Sequence, residues 1–166
     1  MGVLAWCSQL DSMGIVDLNK EKIAMGIKNS RLNTQLKGRY EIISNDPKII
    51  ADTAHNESGL RLLIDQIKKE SKGNLWIILG MVADKDLDSV LQILPQNAQY
   101  VFCESNNPRS LKAIKLLETA QKFGLKGKVI LDVNEAIALV KRKMDPNDLI
   151  LITGSTYLVA EIDELI

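Results

Sequence analysis

The constraint that narrows this chain's fold most is a repeated unbroken apolar run. Residues 75–79, 100–103, 129–131 and 149–152 each read as a continuous apolar segment, three of them dominated by Ile, Leu and Val. A strand with one wet face alternates apolar and polar side chains. A strand that does not alternate is covered on both faces, as in parallel sheets. Between these runs lie stripes of helical period: Leu60, Leu63, Ile64 and Ile67; Leu87, Val90, Leu91 and Leu94; Leu111, Ile114 and Leu117; Ala136, Ile137 and Val140. Strand and helix alternate, so the expected fold is α/β: a Rossmann-like, doubly wound, mostly parallel sheet flanked by helices, with right-handed crossovers.

Two further strands are expected at 40–43 and 48–52, separated by the turn residues Asn45, Asp46 and Pro47. Gly73 and Gly124 read as helix stops, and residues 157–162 as a last helix. Residues 1–37 differ from the rest. An apolar stretch at 3–6 and a helix over 20–29 precede a polar segment, 30–38, that suits a linker. The first stretch opens on apolar residues without a cap, which reads as the tail of something larger. The expected division is therefore 1–37 and 38–166.

Charge and residue counts limit the chemistry. With 21 Lys+Arg against 21 Asp+Glu, nothing electrostatic favours a nucleic acid or an anionic membrane as partner. The 2 cysteines, Cys7 and Cys103, are too few for a disulfide framework or a cysteine zinc site and sit in apolar runs, as buried thiols of a reducing, cytoplasmic setting would. His55 is the single histidine, so no His-rich metal site can form, and no metal ligands are expected here. The apolar runs fall far short of the ~20 residues that span a bilayer.

In open α/β sheets, ligands bind beyond the carboxyl ends of the strands. The segments just past the expected strands are 52–56 (Asp-Thr-Ala-His-Asn), 80–86 (Gly-Met-Val-Ala-Asp-Lys-Asp), 104–110 and 153–156 (Thr-Gly-Ser-Thr). They are polar and charged above apolar strands. Asp52 and His55 stand three apart across a strand-to-helix turn, where a carboxylate can orient an imidazole. Alternatively, Asn56 is a helix cap and His55 a turn residue. Asp84, Lys85 and Asp86 either clamp a polar ligand or start a helix, with Asp84 as its cap. Arg109 either reaches a ligand or is a solvated first-turn side chain. Ser155 either binds a carboxylate or caps the last helix. No G-x-x-x-x-G-K-[ST] loop, no G-x-G-x-x-G and no G-x-S-x-G is present, so this stretch of chain has no phosphate loop of its own.

Taken in order, Gly38-Arg39-Tyr40-Glu41, Asp52-Thr53-Ala54-His55-Asn56, Gly80 with Asp84-Lys85-Asp86, Pro108-Arg109 and Gly154-Ser155-Thr156-Tyr157-Leu158 resemble the carboxy-terminal part of folylpolyglutamate synthase/dihydrofolate synthase, within the Mur ligase superfamily. The Asp-x-Ala-His-Asn element is the most specific piece; the family more often has Gly where Thr53 stands. The resemblance covers about residues 38–166 and implies a Mur ligase C-terminal domain. Residues 1–37 then correspond to the end of a central ATPase domain.

The resemblance implies a partner, the upstream ATPase domain of the same polypeptide, with a P-loop and the ligands for Mg2+. It also implies the substrates ATP, folate or dihydropteroate, and L-glutamate, joined through an acyl phosphate. By the same resemblance Arg39 and Asp52 contact ATP, His55 sits by the phosphate and the incoming glutamate, and Ser155 holds the glutamate carboxylate. Asp84, Lys85 and Arg109 match the pattern without assigned roles. Two other readings compete: another Mur-type amino-acid ligase, such as a cell-wall one, and a stand-alone flavodoxin-like binding module. A phosphoreceiver version of the latter lacks the Lys expected after a late strand, where Thr153, Gly154 and Ser155 stand.

Overall fold

The computed structural model describes residues 2–165, which fall into two units divided between Lys37 and Gly38. The first unit holds α1 (Gly2–Ser12), α2 (Lys20–Lys28) and the short α3 (Ser30–Thr34), the last in the segment expected to be a plain linker. Asn19 caps α2, its side chain accepting the Lys22 N–H at 2.8 Å. Neither α1 nor α2 has a buried residue, and Val3, Trp6, Met25 and Ile27 are all more than half exposed. Cys7 is only half-buried here, against the expectation of a buried thiol, because α1 has no core to bury it in.

The second unit is built on six strands: β1 (Glu41–Asn45), β2 (Lys48–Ala51), β3 (Leu75–Leu79), β4 (Gln99–Phe102), β5 (Gly127–Val129) and β6 (Leu149–Thr153). They form one sheet in the order β1-β2-β6-β3-β4-β5. Only the β1–β2 hairpin is antiparallel; the other four pairings are parallel. Five helices connect or follow them: α4 (Glu57–Glu70), α5 (Leu87–Leu91), α6 (Ala113–Lys122), α7 (Val133–Lys141) and α8 (Thr156–Ala160).

The unbroken apolar runs are explained by two cores, one on each face. Ile50, Ile77, Leu79, Tyr100, Phe102, Leu149 and Leu151 pack with residues of α4, α5 and α6. The intervening strand residues Ile49, Ala51, Trp76, Ile78, Val101, Ile150 and Ile152 pack with α7 and α8. Period-2 geometry sends neighbours to opposite faces, and both faces are dry.

Local expectations also fail at α4, α6 and β5. Helix α4 ends at Glu70 with Ser71 as its C-cap, not at Gly73. Gly73 serves a close approach instead: a Cβ there would lie 2.8 Å from the backbone of Asn147. In α6 the buried face is Ala113, Leu116 and Ala120, while Ile114 is exposed. The chain leaves β5 at Val129, so Leu131 lies outside the strand and is exposed.

Candidate functional site

Helices α4 and α5 follow β2 and β3 on one face, whereas α8 follows β6, which lies between those strands, on the other. The chain therefore parts above the carboxyl end of β6, the switch point where such sheets hold ligands. Hydrogen bonds join the exits around it. Gly154 N–H and Thr153 Oγ1–H both donate to Ala54 O, at 3.0 and 3.2 Å, and Gly80 N–H donates to Thr153 O at 3.2 Å. Ala83 N–H donates to Arg109 O, and Leu111 N–H to Met81 O, each at 2.8 Å, tying the loop after β4 to the loop after β3.

Two concavities open on this rim. One, of about 290 Å³, is lined by His55, Lys85, Arg109, Ser155, Thr156 and Tyr157, with Val82. The other, of about 280 Å³, includes Arg39, Tyr40, Asp52, His55 and Gln66 in its wall. His55 borders both. Six of the seven sequence candidates thus line one or the other, and the seventh, Asp84, is ion-paired to Arg109.

Asp52 is the organiser of the second concavity. Its carboxylate accepts the Ala54 N–H and the Tyr40 N–H, each at 2.7 Å. The expected Asp52–His55 pairing is not what orients the imidazole: both carboxylate oxygens are engaged by backbone. His55 Nδ1 lies 2.9 Å from Thr53 O. A carbonyl oxygen only accepts, so Nδ1 carries the proton and Nε2 is the nitrogen left to take one. Asn56 is indeed the cap of α4, accepting Gly59 N–H at 2.9 Å. Arg39 is exposed at the wall of this concavity.

Ser155 is the cap of the last helix, one of the two roles expected of it. Its Oγ accepts the Tyr157 N–H at 3.2 Å as the cap of α8, and the residue also lines the first concavity. The cap of α5 is Asp86, whose side chain accepts Ser89 N–H at 3.2 Å, and not Asp84. Asp84 is thereby left to the Arg109 guanidinium, which holds its carboxyl below the usual range. Arg109 also reaches the Tyr157 hydroxyl at 3.5 Å. The first concavity thus combines Lys85, Arg109, His55 and a serine hydroxyl against one carboxylate at its rim, a set suited to carboxylate or phosphate oxygens.

Tyr40 and Tyr157 belong to the rim but were not singled out by residue type. Tyr40 Oη donates to Glu70 Oε1 at 2.5 Å, and Glu70 also pairs with Lys48. Burial, with the Glu70 carboxylate beside it, pushes the Tyr40 phenol up. The one local signal is their position, each next to a glycine-containing turn carrying a candidate residue. Among the described residues no three His, Cys, Asp or Glu side chains converge to hold a metal ion. Cys103 is buried beneath the rim, and burial pushes its thiol up to about 12, which makes it an inert core residue. No helix among the described residues is long and apolar enough to cross a membrane.

Comparison with known proteins agrees with this architecture. A dihydrofolate synthase/folylpolyglutamate synthase of Escherichia coli (strain K12) is 30% identical over 142 residues, covering 84% of this chain and 33% of that protein. A UDP-N-acetylmuramoyl-L-alanyl-D-glutamate–2,6-diaminopimelate ligase of Buchnera aphidicola (subsp. Baizongia pistaciae) is 32% identical over 131 residues, covering 74% of this chain and 26% of that protein. A crystal structure of a bifunctional folylpolyglutamate synthase/dihydrofolate synthase with Mn, AMPPNP and L-glutamate bound superposes with a TM-score of 0.74 at 26% identity, covering 87% of this chain and 34% of that one. The chain spans about a third of the length of the folate-ligase relatives it matches. The pattern of the family described as "Mur ligase, glutamate ligase domain" matches residues 38–156, and the chain belongs to that family.

Proposed function

We propose that residues 38–166 are the closing domain of an ATP-dependent ligase that joins L-glutamate to a folate or dihydropteroate carboxyl. Residues 1–37 are, in this reading, the end of its central ATPase domain. The absence of any buried residue on α1 and α2 supports this, because helices of that length gain most of their stability from packing against other elements. The observation that carries the assignment is the meeting of His55, Lys85, Arg109 and Ser155 in one concavity at the sheet's switch point. The relative with L-glutamate and AMPPNP bound is consistent with a ligand of that kind here.

The chemistry follows from those groups. ATP phosphorylates the acceptor carboxyl; the glutamate nitrogen then attacks the acyl carbon. The C–N bond forms, the C–O bond to phosphate breaks, and inorganic phosphate leaves with ADP as the other product. Such transfers depend chiefly on positioning and charge neutralisation. Arg39 neutralises phosphate oxygens from the wall of the second concavity. Asp52 acts through the backbone it clips, fixing the turn beside Arg39. Lys85, Arg109 and Ser155 hold the glutamate carboxylates, and His55 Nε2 takes the proton that the attacking nitrogen sheds. Mg2+ would be held by the ATPase half, where it would neutralise phosphate charge; among the described residues no three His, Cys, Asp or Glu side chains gather to hold it. The setting of such an enzyme is the cytoplasm.

The 32% identity to a diaminopimelate ligase favours one second reading, a Mur-type ligase for another amino acid. One assay separates them: ATP-dependent amide formation by the polypeptide carrying this chain with a P-loop half, offered L-glutamate or meso-diaminopimelate. The proposal expects L-glutamate to be incorporated and His55→Ala to slow it by about 100-fold or more with folding intact. Use of diaminopimelate alone would establish the second reading. Wild-type turnover in His55→Ala would remove His55 from the site.

A further inference from the structure

At the opposite end of the sheet lies a second basic concavity that the ligase reading does not use. It has a volume of about 460 Å³, and its wall includes Trp76, Gln96, Gln99, Lys126, Lys128 and Lys143. Strand register explains how it forms. Trp76 is the partner of Gln99 and Lys128 the partner of Val101, and Trp76 and Val101 belong to the core packed under α7. Trp76, Gln99 and Lys128 therefore share that face. Helix α7 stops at Lys141, so its end leaves the beginnings of β3, β4 and β5 uncovered there, and Lys143, just past the helix, joins the mouth.

The cavity is one-sided in charge. Its lining contains three lysines and no carboxylate, and among the described residues none of the three lysines is in an ion pair. Lys128 is half-buried, and burial together with the nearby Lys143 ammonium lowers its affinity for its proton. Lysines on the edge strand β5 discourage edge-to-edge pairing, and cations past a helix C-terminus complement its dipole. Neither reason requires that the two be brought to one mouth, where like charges repel. A bound oxyanion removes that cost, and the Gln99 carboxamide adds a neutral donor, while Gln96 Nε2 already gives one hydrogen to Phe123 O at 3.1 Å.

We infer that this concavity is a binding site for a small oxyanion ligand of two or more negative charges, phosphate- or carboxylate-bearing, separate from the rim around His55. The site is independent of the ligase reading, because it lies at the amino ends of the strands and shares no lining residue with either rim concavity.

The test is a backbone and side-chain NMR titration of the full chain with sodium pyrophosphate, and separately with citrate, against sodium chloride of equal ionic strength. The inference expects saturable shifts at residues 126–128, at Lys143 and at the Trp76 indole N–H. Saturation by pyrophosphate alone assigns a phosphate ligand, and by citrate alone a polycarboxylate. The double variant Lys128→Gln/Lys143→Gln, changed only at polar side chains, is expected to weaken binding by about tenfold or more, with the rest of its spectrum unchanged. Non-saturating shifts matched by sodium chloride, saturable shifts only around His55, or unaltered affinity in the double variant would each overturn it.

Discussion

The Asp52 carboxylate holds the Tyr40 amide at 2.7 Å across 12 residues of chain, clipping the turn before β1 to the exit of β2. Its second oxygen accepts the Ala54 N–H, also at 2.7 Å. Tyr40 has φ of 46°, in the left-handed region that a non-glycine residue enters at a cost. Replacing Asp52 by Asn exchanges one acceptor oxygen for an amide donor that faces an N–H. Chemical denaturation should show Asp52→Asn less stable by about 1–3 kcal/mol, and exchange of the Tyr40 amide should accelerate.

Tyr40 carries the turn's other anchor, its hydroxyl bond to Glu70, which Lys48 also engages. Tyr40's proton is held more tightly in the folded chain than in the unfolded one. That contribution is complete below the unfolded phenol pKa and fades as pH climbs past about 10. Unfolding measured from pH 8 to 11 should show stability falling at the alkaline end. Tyr40→Phe should flatten part of that slope; the rest belongs to Tyr100, also raised by burial.

Asp148 contributes on the acid side, together with Glu70, Glu104 and Glu164, whose carboxyls are also held down by their partners. Burial works to raise the Asp148 carboxyl, yet the N–H groups of Asp145 and Asn74 and the Trp76 indole outweigh burial and hold it below the usual range. A depressed carboxyl stabilises the fold above its unfolded pKa and loses that contribution as pH falls through the folded value. Asp148→Asn should cost about 1–3 kcal/mol at neutral pH and reduce the loss of stability between roughly pH 5 and pH 2, read by thermal melts across that range.

Gly154 tests the switch point itself. Its φ is 99°, and a Cβ there would lie 2.5 Å from Gly80 O, between the exits of β6 and β3. Both the backbone strain and the clash oppose any side chain. Gly154→Ala should lower stability by about 2–4 kcal/mol in urea unfolding, and NMR shifts should spread to Ser155 and Gly80.

Much of this molecule is legible in its sequence, for physical reasons. Runs such as 75–79, five residues long and bounded by Gly73-Asn74 and Gly80, are too short for a helix and fit strands with two dry faces, and the sheet has two cores. The rim was readable because polar segments follow apolar strands. Leu111, Ile114 and Leu117 stand three apart and drift around a 3.6-residue helix, so Leu111 and Leu117 pack partly on the core while Ile114 turns to solvent. The true stripe hides behind two alanines, Ala113 and Ala120. Tyr40's role was illegible because its partners, Asp52 and Glu70, lie 12 and 30 residues away. Asp84 read as a cap because capping is local, whereas its partner Arg109 is 25 residues on.

The central claim is that the concavity bounded by His55, Lys85, Arg109 and Ser155 receives a dicarboxylic amino acid. Its most direct test is an NMR titration of the chain with L-glutamate at constant ionic strength. The account predicts saturable shifts confined to those four residues and their neighbours, lost in Arg109→Gln and strengthened in Asp84→Asn, which frees the guanidinium. Absence of saturable shifts there, or the same shifts from glutamate in Arg109→Gln, would contradict it.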